Sequence, residues 1–213
     1  MIANDRLTTY INSLGAPLPQ ALIEIEREAI KQQVPIIRKD MQGLLRLIIS
    51  MQHPSSILEV GTAVGFSGSL MLTLAPDARL TTIENYEPRF DIARANFKRA
   101  GVSERAEFLT GDAMEILPTL TGPFDMIFMD AAKGQYIHFL PEIMRLLTPG
   151  GLLISDNVLQ DGDIIESRFA VCRRDRTIHK RMREYLYALT HTEGLVTTIL
   201  DTGDGVALSH KEK

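Results

Sequence analysis

The chain has 213 residues, 45% of them hydrophobic and 23% charged, a balance that suits one compact globular domain and leaves no room for a second full one. Cys172 is the only cysteine, which excludes an intrachain disulfide and makes a reduced cytoplasm the expected setting. Net charge is -4 but unevenly spread: between Arg168 and Arg183 seven basic residues face only Asp175, a local +6 against -10 elsewhere, as in a binder of polyanions.

The N-terminal stretch mixes Asn4, Asp5 and Arg6 with short apolar groups, unlike a signal peptide, and no later run is apolar for long enough to cross a bilayer. Residues 1–53 read as a helical cap. One helix is expected from Gln20 to Gln33, stopping before Val34-Pro35 because the residue preceding proline is biased away from helical angles. A second is signalled by Met41, Leu44, Leu45, Ile48 and Ile49, which recur at the three-and-four spacing of a helix face.

Beyond His53-Pro54 the pattern changes. Short runs rich in branched residues, Ile57–Val60, Leu80–Glu84, Ala106–Leu109, Met126–Met129 and Leu152–Ser155, alternate with helical stretches and predict a mainly parallel sheet covered on both faces. Pro88 fits the first turn of one such helix, and Thr148-Pro149-Gly150-Gly151 stops another after Leu147. The last two runs, Leu195–Leu200 and Gly205–Ser209, are separated only by Asp201-Thr202-Gly203-Asp204. That link is too short for a crossover helix, so an antiparallel hairpin is expected.

The chemistry concentrates where strands end. Leu58-Glu59-Val60-Gly61-Thr62-Ala63-Val64-Gly65-Phe66-Ser67-Gly68 passes from strand to helix through glycines that let a ligand approach the backbone, although the spacing differs from the dinucleotide fingerprint. Glu84 ends the next strand, where a carboxylate can accept hydrogen bonds from ribose hydroxyls, and Gly111-Asp112-Ala113 follows the third, within reach of an adenine edge. Asp130 closes the fourth strand and Asp156-Asn157 the fifth. Two carboxylates and an amide oxygen brought to one sheet edge suit a hard cation such as magnesium, calcium or manganese; the alternative is that Asp156 and Asn157 merely shape a turn. Lys133 follows Asp130 and is a candidate general base, since a nearby cation lowers the proton affinity of an amine.

Together these motifs resemble the metal-dependent O-methyltransferase family that includes the catechol and caffeoyl-coenzyme A enzymes. Asp130-Ala131-Ala132-Lys133-Gly134-Gln135-Tyr136, Asp156-Asn157-Val158-Leu159, the Arg173-Arg174 region and Gly203-Asp204-Gly205-Val206-Ala207-Leu208-Ser209 are most similar to its bacterial branch acting on 5-hydroxyuridine at the tRNA wobble position. The resemblance implies a seven-stranded, Rossmann-like α/β methyltransferase sheet (residues 54–213 as core) and a homodimer. It implies S-adenosylmethionine bound among Ile37, Glu59, Gly61, Thr62, Ala63, Gly65, Ser67, Glu84, Asp112, Ala113, Asp130 and Tyr136. It also implies magnesium on Asp130, Asp156 and Asn157, with Asp130 and Lys133 as catalytic residues. Arg168, Arg173, Arg174, Arg176, Lys180 and Arg181 are then expected to meet anticodon-stem phosphates. The alternative substrate is a small catechol, which presents two adjacent oxygens in an arrangement similar to that of 5-hydroxyuridine.

Overall fold

The computed structural model describes residues 5–167 and 169–213. Three helices, α1 (Asp5–Ser13), α2 (Gln20–Lys31) and α3 (Lys39–Gln52), precede the sheet. Both expected cap helices are present. Leu22, Ile25 and Ala29 of α2, and Met41, Leu45, Ile48 and Ile49 of α3, turn inward at helical spacing. The buried Glu26 carboxylate joins them, accepting from Gln42 Nε2 at 2.7 Å and from Lys39 Nζ.

The core then alternates: β1 (Ser56–Val60), α4 (Phe66–Leu74), β2 (Arg79–Glu84), α5 (Phe90–Arg99), β3 (Ala106–Thr110), α6 (Ala113–Ile116), β4 (Phe124–Met129), α7 (Tyr136–Leu146), β5 (Leu147–Asp156) and α8 (Arg176–His191). The chain ends with β6 (Leu195–Leu200) and β7 (Val206–Lys211). The seven strands lie in the order β3-β2-β1-β4-β5-β7-β6, with β1 to β5 parallel and β7 antiparallel to both β5 and β6. The hairpin is present as expected. Its second strand is inserted between β5 and the edge strand β6.

Alternation along the strands builds a core on each face. Ile57, Met126, Phe128 and Ile154 pack with the cap, α4 and α5. Leu58, Val60, Ile127, Met129 and Leu153 pack with α7 and α8. One boundary differs from the sequence reading: Thr148–Gly151 does end the α7 region, yet β5 already begins at Leu147. Phe124 pairs with Leu147 and Met126 with Leu152, so the Pro-Gly-Gly segment is absorbed as an irregularity of the ladder rather than forming a separate loop.

Order reverses at β1, which has β2 on one side and β4 on the other. Such a switch point opens a crevice beyond the carboxyl ends of the strands. The Gly61 loop, Glu84, Asp130 and Asp156 all follow strands that end there.

Candidate active site

A cavity of about 620 Å³ occupies this crevice. The ends of β1, β2 and β3 form one half of its wall, contributing Gly61, Ala63, Glu84, Asp112 and Ala113; the ends of β4 and β5 form the other, with Asp130, Lys133, Asp156 and Asn157. Ile37 closes it from the cap. Most of the residues singled out in the sequence therefore meet in one place.

Gly61 is where the two halves touch. Its φ of +105° lies in a region disfavoured for side chains, and a Cβ there would sit 2.1 Å from the carbonyl oxygen of Asp130. Asp130 N in turn donates to Val60 O at 3.0 Å. Glu84, only 6% exposed, accepts from Ala63 N at 2.7 Å on one oxygen and from Asn85 N and Tyr86 N at 3.0 and 2.8 Å on the other. Backbone donors thus fix the carboxylate and leave it lone-pair capacity for a diol. Asp112 caps α6 through Met114 N at 2.9 Å, which sets Ala113 at the wall. Replacing Glu84 with Ala is expected to weaken S-adenosylmethionine binding about 10- to 100-fold, measured by calorimetry, because a charged acceptor and the loop it organises are lost together.

Five expected cofactor residues, Glu59, Thr62, Gly65, Ser67 and Tyr136, are not part of the cavity wall but lie behind it. The Glu59 side chain points to the cap face of β1 and is wholly buried; it accepts from Ser67 Oγ and from Thr82 Oγ1 at 2.6 Å, while Thr62 and Thr82 share a further hydroxyl contact at 2.6 Å. Burial pushes the Glu59 carboxyl up to about 7. This network braces the glycine loop from below. The buried Tyr136 hydroxyl accepts from Ala131 N at 3.2 Å and reaches Met129 O at 3.1 Å and Asp156 O at 3.2 Å, tying together the ends of the strands that carry the two aspartates.

The acidic corner is electrostatically costly. Burial raises the Asp130 carboxyl to about 6, and burial together with repulsion from Asp130 raises Asp156 to about 7. Asn157 adopts φ +58° and donates its backbone N–H to Asp156 Oδ1 at 2.8 Å, placing an amide side chain at the same wall. Two desolvated carboxylates beside a neutral oxygen donor fit a small divalent cation, whose charge would offset their repulsion. Lys133 lies at this corner, but its ammonium donates to Asp204 Oδ2 at 2.7 Å. An ammonium held in that way has no lone pair, so a base role would require it first to give up a proton.

Sequence reasoning left Arg38, Asp40 and Arg89 of the wall unassigned, and gave Asp204 no role beyond its place in a motif. Arg38 and Asp40 belong to the start of α3, and only the folding of the cap over the crevice brings them there. Asp204 had a readable signal, an acid held between two glycines in a hairpin turn.

The basic segment mixes anchored with exposed side chains. Arg176 donates to Val171 O at 3.2 Å, Arg181 to Gly134 O at 3.1 Å and Arg183 to Ile164 O at 3.1 Å, while Lys180 pairs with Glu184 at 3.5 Å and Arg174 with Asp175 at 3.3 Å. Arg173 is exposed, and Arg168 lies outside the described residues. None of the described helices is long and apolar enough to cross a membrane.

The O-methyltransferase family model matches residues 12–212, so the chain belongs to that family. It is an enzyme, an S-adenosylmethionine-dependent O-methyltransferase. The catechol O-methyltransferase of Niastella koreensis is 36% identical over 165 residues, 74% of each chain. Among solved structures, the O-methyltransferase TomG of Streptomyces achromogenes, in complex with SAM, is 26% identical with a TM-score of 0.86 over 100% of both chains. The Bacillus cereus O-methyltransferase in complex with SAH is 25% identical with a TM-score of 0.85 over 97% of both.

Proposed function

We propose that this enzyme transfers the sulfonium methyl of S-adenosylmethionine to one hydroxyl of a small substrate bearing two adjacent oxygens, of the catechol class, with a divalent cation held by Asp130, Asp156 and Asn157. The observation that carries this reading is the pair of buried carboxylates with raised proton affinity, set with an amide at a wall shared with the cofactor half of the cavity. A cation bound there supplies the charge that favours an ionised hydroxyl. The chain's own residues do the rest. Glu84 and the Gly61 loop hold the cofactor, Asp130 abuts that loop through its backbone, Tyr136 fixes the spacing of Asp130 and Asp156, and the cap limits access of water. In the transfer the sulfur–carbon bond breaks as the carbon–oxygen bond forms, S-adenosylhomocysteine is the leaving group, and the hydroxyl proton passes to water.

The Niastella koreensis relative supports a catechol over a tRNA substrate. The homodimer implied by the resemblance draws support from the apolar side chains Leu7, Tyr10, Ile11 and Leu14, which are 54–67% exposed in and just after α1. The deciding measurement is mass-spectrometric detection of methyl transfer in parallel reactions with 3,4-dihydroxybenzoate and with hydroxyuridine-containing tRNA, each with magnesium or with a chelator. Chelator-sensitive methylation of the catechol is expected; methoxyuridine formation with no catechol product would replace this reading with the tRNA one.

A further inference from the structure

Asp204 comes from the turn between β6 and β7, on the antiparallel side of the sheet, yet its carboxylate enters the cavity wall and is 5% exposed. Inside the wall it accepts from Lys133 Nζ at 2.7 Å. The turn is clasped to the end of β5: Leu159 N donates to Asp204 O at 2.9 Å and Val158 N to Gly205 O at 3.0 Å. Gly205, at φ +83°, lies so close to Leu159 that a Cβ would fall 2.1 Å from the Leu159 Cγ. The clasp therefore fixes Asp204 relative to Asp156 and Asn157, and through Asp204 it fixes the head of an otherwise flexible lysine.

We propose that Asp204 is a positioning residue that holds the Lys133 ammonium at the corner formed by Asp130, Asp156 and Asn157, so that the hairpin supplies a functional part of the site. This rests on the reading above, in which the reacting oxygen binds at that corner. A lysine stem has four rotatable bonds, and a charge-assisted bond to a buried carboxylate removes most of that freedom before the substrate arrives.

The test is a double-mutant cycle in the intact enzyme with magnesium and 3,4-dihydroxybenzoate, using Asp204→Asn, Lys133→Ala and the double variant. Asp204→Asn keeps the side-chain shape and the backbone bonds of the turn. It is expected to lower kcat about 10- to 100-fold with KM and cofactor affinity within about threefold of wild type, and to have almost no further effect once Lys133 is alanine. Asp204→Glu should recover part of kcat. A second arm needs no turnover: in protein free of metal and cofactor, acetylation of Lys133 by acetic anhydride, read by peptide mass spectrometry, should be several-fold faster in Asp204→Asn. Wild-type kcat in Asp204→Asn, an equal loss in the Lys133→Ala background, or unchanged acetylation would overturn the proposal. Absence of transfer by the wild-type enzyme to any vicinal diol would instead overturn the substrate reading on which it rests.

Discussion

Asp156→Ala is expected to lower methyl transfer about 100- to 1000-fold while leaving S-adenosylmethionine affinity within a few-fold of wild type. Asp156 belongs to the β5 half of the cavity, whereas the groups proposed to hold the cofactor lie at the ends of β1 and β2. The variant should therefore separate binding from chemistry. Equal losses in turnover and cofactor affinity would sink the assignment of Asp156 to the cation.

The same corner predicts how stability depends on pH. The folded values of Asp130, at about 6, and of Asp156 and Glu59, at about 7, lie above their ordinary ranges. The unfolded chain thus ionises first, and the stability these groups contribute is fully present below about pH 4 and lost as pH rises through about 6 to 7. Metal-free protein is expected to unfold at a lower temperature at pH 8 than at pH 5. Magnesium should restore stability at pH 8 and add little at pH 5, where protons compete for the same oxygens. Differential scanning calorimetry checks both, and Asp156→Ala should abolish the magnesium effect.

The second large effect is expected at Gly61→Ala. A methyl group 2.1 Å from a backbone oxygen cannot be relieved by rotating a side chain; β1 and β4 would have to separate where Val60 and Met129 pair. The unfavourable φ adds to the overlap, for a loss of roughly 2–4 kcal/mol in stability and of measurable cofactor binding. Thermal unfolding and calorimetry read the two losses. By contrast, Gly101→Ala meets strain at φ +71° but no atom within 4 Å, so it should lose stability without losing cofactor binding.

What could be read from the chain in advance follows the range over which the physics acts. The strands and the cap helices were legible because period-two and period-3.6 burial are written locally, and the hairpin because four intervening residues cannot hold a crossover. Asp130, Asp156 and Asn157 were legible because parallel strands deliver their final residues to a common edge. Glu59, Thr62 and Ser67 were placed on the right loop but not behind it; which way a side chain points there depends on β2 supplying Thr82 as a partner. Arg38 and Asp40 were silent because their place at the cavity depends on how the cap docks. The basic segment meets the same limit: sequence counts charges, but it does not show that Arg176, Arg181 and Arg183 each donate to a backbone carbonyl.

The insertion of β7 between β5 and β6 ties part of the site to the antiparallel edge of the sheet. The glycine loop, Glu84 and Asp130 belong to the parallel strands, whereas Asp204 reaches Lys133 only through the hairpin that pairs with β5. A chain cut short of the hairpin turn would leave Lys133 without its anchor. In the proposed mechanism cofactor recognition and methyl transfer thus draw on different parts of one sheet, and the second depends on the hairpin being in place.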